Sequence, residues 1–291
     1  MSRDYPAEVL RYTAFSDDPD GGNPAGVVLD ATGLADDDMQ AIAADVGYSE
    51  TAFLLPSADG GARGETGRTF DVRYFSPKAE VTFCGHATIA TAVALAERVG
   101  PGELLFHTQV GAVPVTVTSA PDGRPHATLT SVEPHVEDAP ADVVREARAA
   151  LGWDPSELDA ALPPRIAYAG ARHLVLAAAT RERLADLAYD FDRLEKLMRQ
   201  EDLTTLQLVW RESADVFHVR DPFPVGGVVE DPATGAAAAA FGAYARQLGL
   251  VPDDAVLTLH QGADMGRPGV LTVELRGGDP RVRVSGTAAR I

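Results

Sequence analysis

The stretch Val72-Arg73-Tyr74-Phe75-Ser76-Pro77-Lys78-Ala79-Glu80-Val81-Thr82-Phe83-Cys84-Gly85-His86-Ala87-Thr88 has an echo 147 positions later, where Val219-Arg220-Asp221-Pro222-Phe223-Pro224 leads to Glu230-Asp231-Pro232-Ala233-Thr234-Gly235. One offset pairs Val72-Arg73 with Val219-Arg220, Pro77 with Pro224, Val81 with Val228 and Cys84 with Asp231. In both places a strand passes through a proline turn and a tight loop into a helix of small residues, Ala87 to Val99 and Ala236 to Leu248. Repetition at a fixed spacing predicts a duplicated unit and places the two loops at an internal pseudo-twofold.

Outward from this pair, the pattern mixes strands and helices throughout. Glu8 to Leu29 reads as two strands around an Asp/Gly/Pro loop that ends in Asn23-Pro24. Leu34, Met39, Ile42, Ala43 and Val46 recur at helical spacing behind Asp36 to Asp38, acids that suit the positive end of a helix dipole. Ser49 to Pro56 reads as an apolar strand interrupted near its start by Glu50. Strands follow at Val113 to Val117 and Ala127 to Leu129, and the polar stretch Glu133 to Pro140 reads as a domain boundary. Beyond it come a helix at Ala141 to Leu151, strands at Ile166 to Ala169, Leu174 to Ala178 and Leu206 to Trp210, and helices around Leu184 and Leu194.

A chain of 291 residues exceeds the usual span of one core, so two halves are expected. With 45% hydrophobic and 7% aromatic residues, the cores are built from Ala, Val and Leu. The 43 acidic residues outnumber 25 basic ones, and a net charge of −18 makes nucleic acid and anionic membrane poor partners. The single cysteine, Cys84, excludes an internal disulfide framework and a site built from several thiols, and fits a reducing cytoplasm. Met1 to Pro6 carries no apolar leader core, and no stretch of about 18 apolar residues suggests a membrane span. The seven histidines show no paired ligand spacing, and the Gly60-Gly61 and Gly277-Gly278 doublets lack the context of nucleotide loops. No metal and no cofactor are expected.

A tight loop entering a helix presents backbone N–H groups at the positive helix end, where a carboxylate or a developing oxyanion can be held. Cys84-Gly85-His86 and Asp231-Pro232-Ala233-Thr234-Gly235 both have this form. Ordinary capping by Thr and Asp is the plain alternative. Cys84 reads first as a small packing residue and second as a reactive thiol at a helix N-terminus.

Five blocks in order carry a resemblance: Gly22-Asn23-Pro24-Ala25-Gly26, Ser49-Glu50-Thr51-Ala52-Phe53, Phe75 to Thr88, Glu230 to Gly235, and Met265-Gly266-Arg267-Pro268-Gly269. Together they resemble the signatures of the PhzF-like family, the phenazine-biosynthesis isomerase-like proteins, along the whole chain. The resemblance implies a diaminopimelate-epimerase-like α/β fold of two similar domains, each a curled, mostly antiparallel sheet around a central helix. It implies a first domain of residues 1–130 plus 278–291, a second of 131–277, an active site in the cleft between them, and a homodimer. By resemblance Glu50 is the acid and base, with His86 and Asp231 as further polar catalytic residues. Asn23, Ser49, Gly85, Thr234, Gly235 and Ala236 are then expected around a small, carboxylate-bearing substrate. The two-thiol route of related epimerases is closed to a chain with one cysteine.

One departure stands out. The family's second loop typically places serine after Asp-Pro-x-Thr-Gly, and this chain has Ala236. An isomerase with a shifted substrate is the leading expectation; a cofactor-independent epimerase or racemase, or a silent small-molecule-binding protein that keeps the fold, are the other two.

Overall fold

A computed structural model describes residues 7–57 and 68–291; Met1 to Pro6 and the Gly60-Gly61 doublet lie outside them. The chain divides into two compact units, residues 1–130 with 285–291 and residues 131–284.

In the first unit, β1 (Leu10–Ala14) pairs antiparallel with β2 (Asn23–Val28), and β2 runs parallel to β3 (Glu50–Pro56) after the helix α1 (Asp36–Val46). β3 pairs antiparallel with β4 (Thr69–Phe75), which turns back through β5 (Glu80–Val81) into helix α2 (Gly85–Val99). β6 (Gly102–Thr108) lies parallel to β4, and β7 (Gly111–Ser119) and β8 (Pro125–Thr130) extend the sheet antiparallel.

In the second unit β9 (His135–Asp138) pairs with β10 (Arg165–Tyr168), after helix α3 (Ala141–Leu151). The following strands are β11 (Arg172–Ala177), β12 (Thr205–Arg211), β13 (Val216–Pro222), β14 (Glu230–Asp231), β15 (Ala255–Gln261) and β16 (Gly269–Arg276). Helices α4 (Arg181–Ala185) and α5 (Phe191–Gln200) precede β12, and α6 (Gly235–Gln247) precedes β15. β17 (Asp279–Gly286) runs across the unit boundary, and β18 (Ala288–Arg290) pairs antiparallel with β1.

The pairing order is the same in both units. β1–β2, β3–β4 and β6–β7 are antiparallel while β2–β3 and β4–β6 are parallel; β10–β11, β12–β13 and β15–β16 repeat the former, β11–β12 and β13–β15 the latter. The division between the units falls at Thr130 and Ser131, just before the polar stretch Glu133 to Pro140, and that stretch also contains a strand. β9 is an edge strand whose backbone pairs with β10, and its acids stay exposed because sheet pairing needs only main-chain groups.

Both central helices are apolar on every side, the signature of a buried helix. All residues of α2 from Gly85 to Ala96 are buried, as are Gly235 and Ala237 to Ala245 in α6. Alanine and glycine here let the sheet approach the helix axis. A Cβ on Gly242 would come within 2.7 Å of Val273 Cγ1 and 2.9 Å of Val282 Cγ1. Alternation supplies the opposing face, with Val113, Val115 and Val117 buried on β7 and Leu257 and Leu259 on β15. The outer helices cover the other side: Met39, Ile42 and Ala43 pack with Val28, Phe53 and Phe75, and α3 and α5 bury Val143, Leu151, Leu194 and Met198 against Leu174, Leu176, Leu206 and Leu208. Among the described residues no helix is long and apolar enough to cross a membrane.

The repeat shifts register between strand and helix. β4 and β13 end at Phe75 and Pro222, 147 apart, whereas α2 and α6 begin at Gly85 and Gly235, 150 apart. Three residues have entered the second turn, where Pro224–Gly226 forms one turn of 3-10 helix. The structural counterpart of Cys84 is therefore Thr234, both standing as helix N-caps, and Asp231 corresponds to Val81.

The same arginine–glutamate pair spans the turn in each unit. Arg73 grips Glu80 with Nε–Oε1 at 2.7 Å and Nη2–Oε2 at 2.8 Å; Arg220 grips Glu230 at 2.9 Å and 2.5 Å. Arg220 also donates to the Ala185 carbonyl at 2.6 Å. The first pair is a quarter exposed, the second nearly sealed, with side chains 9% and 4% exposed. Truncating Arg220 strands a buried carboxylate, and Arg220→Ala is expected to lower stability by about 3–5 kcal/mol. Arg73→Ala is expected to cost no more than about 1 kcal/mol. Urea unfolding of the two variants checks this, and equal losses would contradict it.

Candidate active site

Five of the expected residues meet in the first unit. Glu50 opens β3, with its backbone paired to Ala25 of β2. Asn23 opens β2 behind Gly22, whose φ of +54° and 2.1 Å approach of a hypothetical Cβ to the Ala14 carbonyl allow only glycine. Cys84, Gly85 and His86 form the entry to α2. The strand starts and the helix N-terminus thus bring together side chains that lie 27, 34 and 36 residues apart.

The His86 ring is the hub. Asn23 Nδ2 lies 3.1 Å from Nδ1, Ser49 Oγ 3.4 Å from Nε2, and Cys84 Sγ 3.2 Å from Nδ1 and 3.7 Å from Nε2. Glu50 Oε2 accepts from Cys84 Sγ at 3.6 Å and stands 3.5 Å from His86 Nε2. Burial pushes the His86 imidazole down to about 3, so the ring is neutral and its approach to Glu50 is not an ion pair. Burial also raises Glu50 above the ordinary carboxylate range, opposed in part by the hydrogen bonds from Ser49 and Cys84. A desolvated carboxyl beside a neutral imidazole can hold or release a proton nearer neutrality than an exposed one.

Neither N-cap side chain, Cys84 or Thr234, makes a capping hydrogen bond. His86 turns to Asn23 and Ser49, and Thr234 turns back to Asp231, so ordinary capping is not what these side chains do. At the start of α2, Thr88 Oγ1 donates to the Cys84 carbonyl at 2.7 Å and lies 2.6 Å from the Tyr74 hydroxyl.

The remaining residues form a second group, in the second unit. Asp231 ends β14, Thr234 caps α6, and buried Gly235 and half-buried Ala236 begin it. Thr234 Oγ1 donates to Asp231 Oδ2 at 2.6 Å. Gln261, which sequence reasoning passed over, clamps this loop: its Oε1 accepts from the Thr234 N–H at 2.9 Å and its Nε2 donates to the Asp231 carbonyl at 2.9 Å. The available signal was alternation, since Gln261 takes the third inward position of β15 after Leu257 and Leu259.

Asp221 was passed over as well. It faces Asp231 across the β13–β14 pair and is fully buried, with Oδ1 accepting from Thr205 Oγ1 at 2.8 Å and His173 Nδ1 reaching the same hydroxyl at 2.8 Å. Burial, with Asp231 and Glu230 nearby, raises Asp221 well above its ordinary value. Burial lowers His173 to about 3. Asp221 is the one carboxyl of β13, a strand that also carries His218 and Arg220.

Among the described residues, Glu50, Cys84 and His86 also form a group whose potential metal-ligand atoms all lie within 4.8 Å of one another. A search for paired histidines has no means of registering such a mixed set, because its members come from a strand, a helix cap and a helix.

Two units of one curled-sheet topology, each wrapped on a buried helix, define the class of the diaminopimelate-epimerase-like folds. The chain resembles a probable proline racemase from Agrobacterium radiobacter, with a TM-score of 0.67 at 13% identity over 97% of this chain and 90% of that one. It is closer to a PhzF-family phenazine biosynthesis protein from Bacillus anthracis, with a TM-score of 0.83, 25% identity, and coverage of 98% and 97%. The family model described as phenazine biosynthesis-like protein matches residues 12–291, and the chain belongs to that family. Relatives include an uncharacterised isomerase, YfhB, of Bacillus subtilis, 32% identical over 97% of this chain and 96% of its own length. Another is the trans-2,3-dihydro-3-hydroxyanthranilate isomerase of Pseudomonas aeruginosa, 30% identical over 95% and 94%.

The raised Asp221 gives a stability test with a definite sign. In the folded chain it keeps its proton above the pH at which the unfolded chain has lost it. Its contribution is therefore full below about pH 4 and is lost as pH rises through the raised value. Asp221→Asn cannot titrate, so its stability relative to wild type is expected to improve as pH rises from about 4 towards the raised value of Asp221. Parallel unfolding curves for the two proteins across that range would disprove the assignment.

Proposed function

We propose that the chain is an isomerase that relocates a proton within a small, carboxylate-bearing substrate, with Glu50 as the acid and base. The observation that carries this reading is the Glu50 carboxyl: 8% exposed, raised by burial, and held by Cys84 and Ser49 next to a neutral His86. The isomerase names of the B. subtilis and P. aeruginosa relatives support the reaction class.

In this reading Glu50 removes a proton from a carbon adjacent to an unsaturated system. The electron pair released shifts the double bond, and Glu50 returns the proton to a second carbon. Substrate and product have the same atoms and oxidation level, and the carboxyl ends as it began. His86 orients the substrate or Glu50 as a neutral hydrogen-bonding ring. Thr234 and Gln261 fix Asp231 in the second unit, and in each unit the N–H groups at the start of the central helix favour a carboxylate. Ala236 removes one hydroxyl from this set, so the substrate is placed near, not at, trans-2,3-dihydro-3-hydroxyanthranilate.

The test is deuterium incorporation from heavy water during turnover of a screened set of cyclic and allylic carboxylates. Wild type is expected to move label to a new carbon, and Glu50→Gln to lose at least about 10³-fold in kcat with no loss of melting temperature. The acid limb of kcat/KM is expected above the ordinary carboxylate range, since the base works only once the raised Glu50 has ionised. Label appearing at a stereocentre with no shifted double bond would instead indicate an epimerase. Full activity in Glu50→Gln would end the proposal.

A further inference from the structure

Asn23 is buried against the His86 ring, and a strained piece of backbone holds it there. Its partner across the β1–β2 ladder is Ala14, the last residue of β1, and Phe15 follows at φ +65°. A buried aromatic residue rarely adopts this left-handed region and persists in it only where the surroundings over-determine it. They do so here. The Phe15 N–H donates to the Thr287 carbonyl at 2.8 Å, its ring lies over Gly286, where a Cβ would come within 2.4 Å of Phe15 Cδ1, and the Thr13 hydroxyl donates to the Gly21 carbonyl. The loop from Phe15 to Gly22 is thereby fixed, and the side chain it delivers is that of Asn23.

Beyond Asn23 the hydrogen bonds run in one direction. Ser49 donates to the Glu50 carboxylate, so the Ser49 oxygen, 3.4 Å from His86 Nε2, is left to accept. Glu50 Oε2 stands 3.5 Å from the same nitrogen. A bare Nε2 would set its lone pair against both oxygens, whereas a protonated Nε2 points a donor between them. A neutral imidazole with its proton on Nε2 has a bare Nδ1, and the atom 3.1 Å from Nδ1 is the donor Nδ2 of Asn23. Cys84 does not compete for either nitrogen. Its sulfur, 3.2 Å from Nδ1 and 3.7 Å from Nε2, lies against the ring and donates to Glu50.

We propose that Asn23 is a positioning residue that fixes His86 as its Nε2-protonated tautomer, so that a one-way chain of donors, Asn23 to His86 to Ser49, ends on the Glu50 carboxylate. Resemblance places Asn23 around the substrate; these contacts give it a different task. The tautomer stands on the contacts themselves, and its part in turnover rests on the function proposed above. With Nε2 already protonated and Nδ1 occupied by the amide, His86 has no place for the proton that Glu50 lifts from the substrate. The proton stays on the carboxyl until it is returned to carbon.

NMR of the full-length chain carrying isotope-labelled histidine reads which ring nitrogen bears the proton, and loss of a signal in His86→Gln identifies this ring among the seven. At about pH 7 the expected wild-type ring is neutral and protonated on Nε2; in Asn23→Asp, whose carboxylate can only accept, Nδ1 is expected to gain a proton. A wild-type ring protonated on Nδ1, or a bare Nδ1 in Asn23→Asp, overturns the proposal, and the wild-type reading decides alone if that variant does not fold. The second readout uses the carboxylate found to turn over in the deuterium screen. Asn23→Leu is expected to lose at least about 10-fold in kcat with KM within about 2-fold of wild type. A raised KM with unchanged kcat would make Asn23 a substrate contact and remove its positioning role. The spectra need no substrate, so full activity in Glu50→Gln would leave the tautomer standing, and a misplaced ring proton would leave the role of Glu50 untouched.

Discussion

Everything in this protein follows from a helix of small residues buried on all sides inside a curled sheet, built twice. With alanine and glycine on α2 and α6, strands approach the helix axis from several directions, and no polar face is left to solvent. The first turn of such a helix still carries N–H groups without intrahelical acceptors. These groups have to meet something polar inside the fold, and in each unit they lie beside a short loop: Cys84-Gly85-His86 in one, Asp231 to Gly235 in the other.

The same burial sets the electrostatics. Glu50 and Asp221 are each the single carboxyl of their strand, β3 and β13, and desolvation raises both. Hydrogen bonds from Ser49 and Cys84 hold Glu50, and Thr205 holds Asp221; neither has a cation to pair with among these contacts. Where the chain does bury a full charge, at Glu230, it supplies the bidentate Arg220. The difference separates a structural carboxylate from carboxyls kept protonatable. His86 and His173, both driven to about 3, are neutral hydrogen-bonding rings beside those carboxyls.

The two units differ in the turn that leads into each central helix. The Arg73–Glu80 and Arg220–Glu230 pairs preserve the turn in both, yet three extra residues in the second turn move Asp231 out of the position of Cys84 and into that of Val81. A glutamate–cysteine–histidine triangle occupies one unit and an aspartate–threonine–glutamine clamp the other. The strand pairing survives this because ladders depend on backbone geometry, while loop length is free to change at small entropic cost.

Much of this was legible from the chain alone. Alternation and small-residue runs identified many of the strands and both central helices, the repeat announced two like units, and five motif blocks identified the family, because these are local patterns or fixed spacings. Glu50 stood out as an acid in an apolar strand. Other features depended on distances between segments remote in sequence. β9 formed within a polar stretch because main-chain pairing with β10 outweighed side-chain character. The shift from 147 to 150 was invisible to a constant offset, since inserted residues change spacing without changing pattern. Gln261 and Asp221 gained meaning only when strands 30 and 10 residues from Asp231 were laid beside it. The triangle of Glu50, Cys84 and His86 likewise exists only because β3 and α2 converge: the chain supplies the side chains, and three-dimensional packing alone decides the few ångströms that separate them.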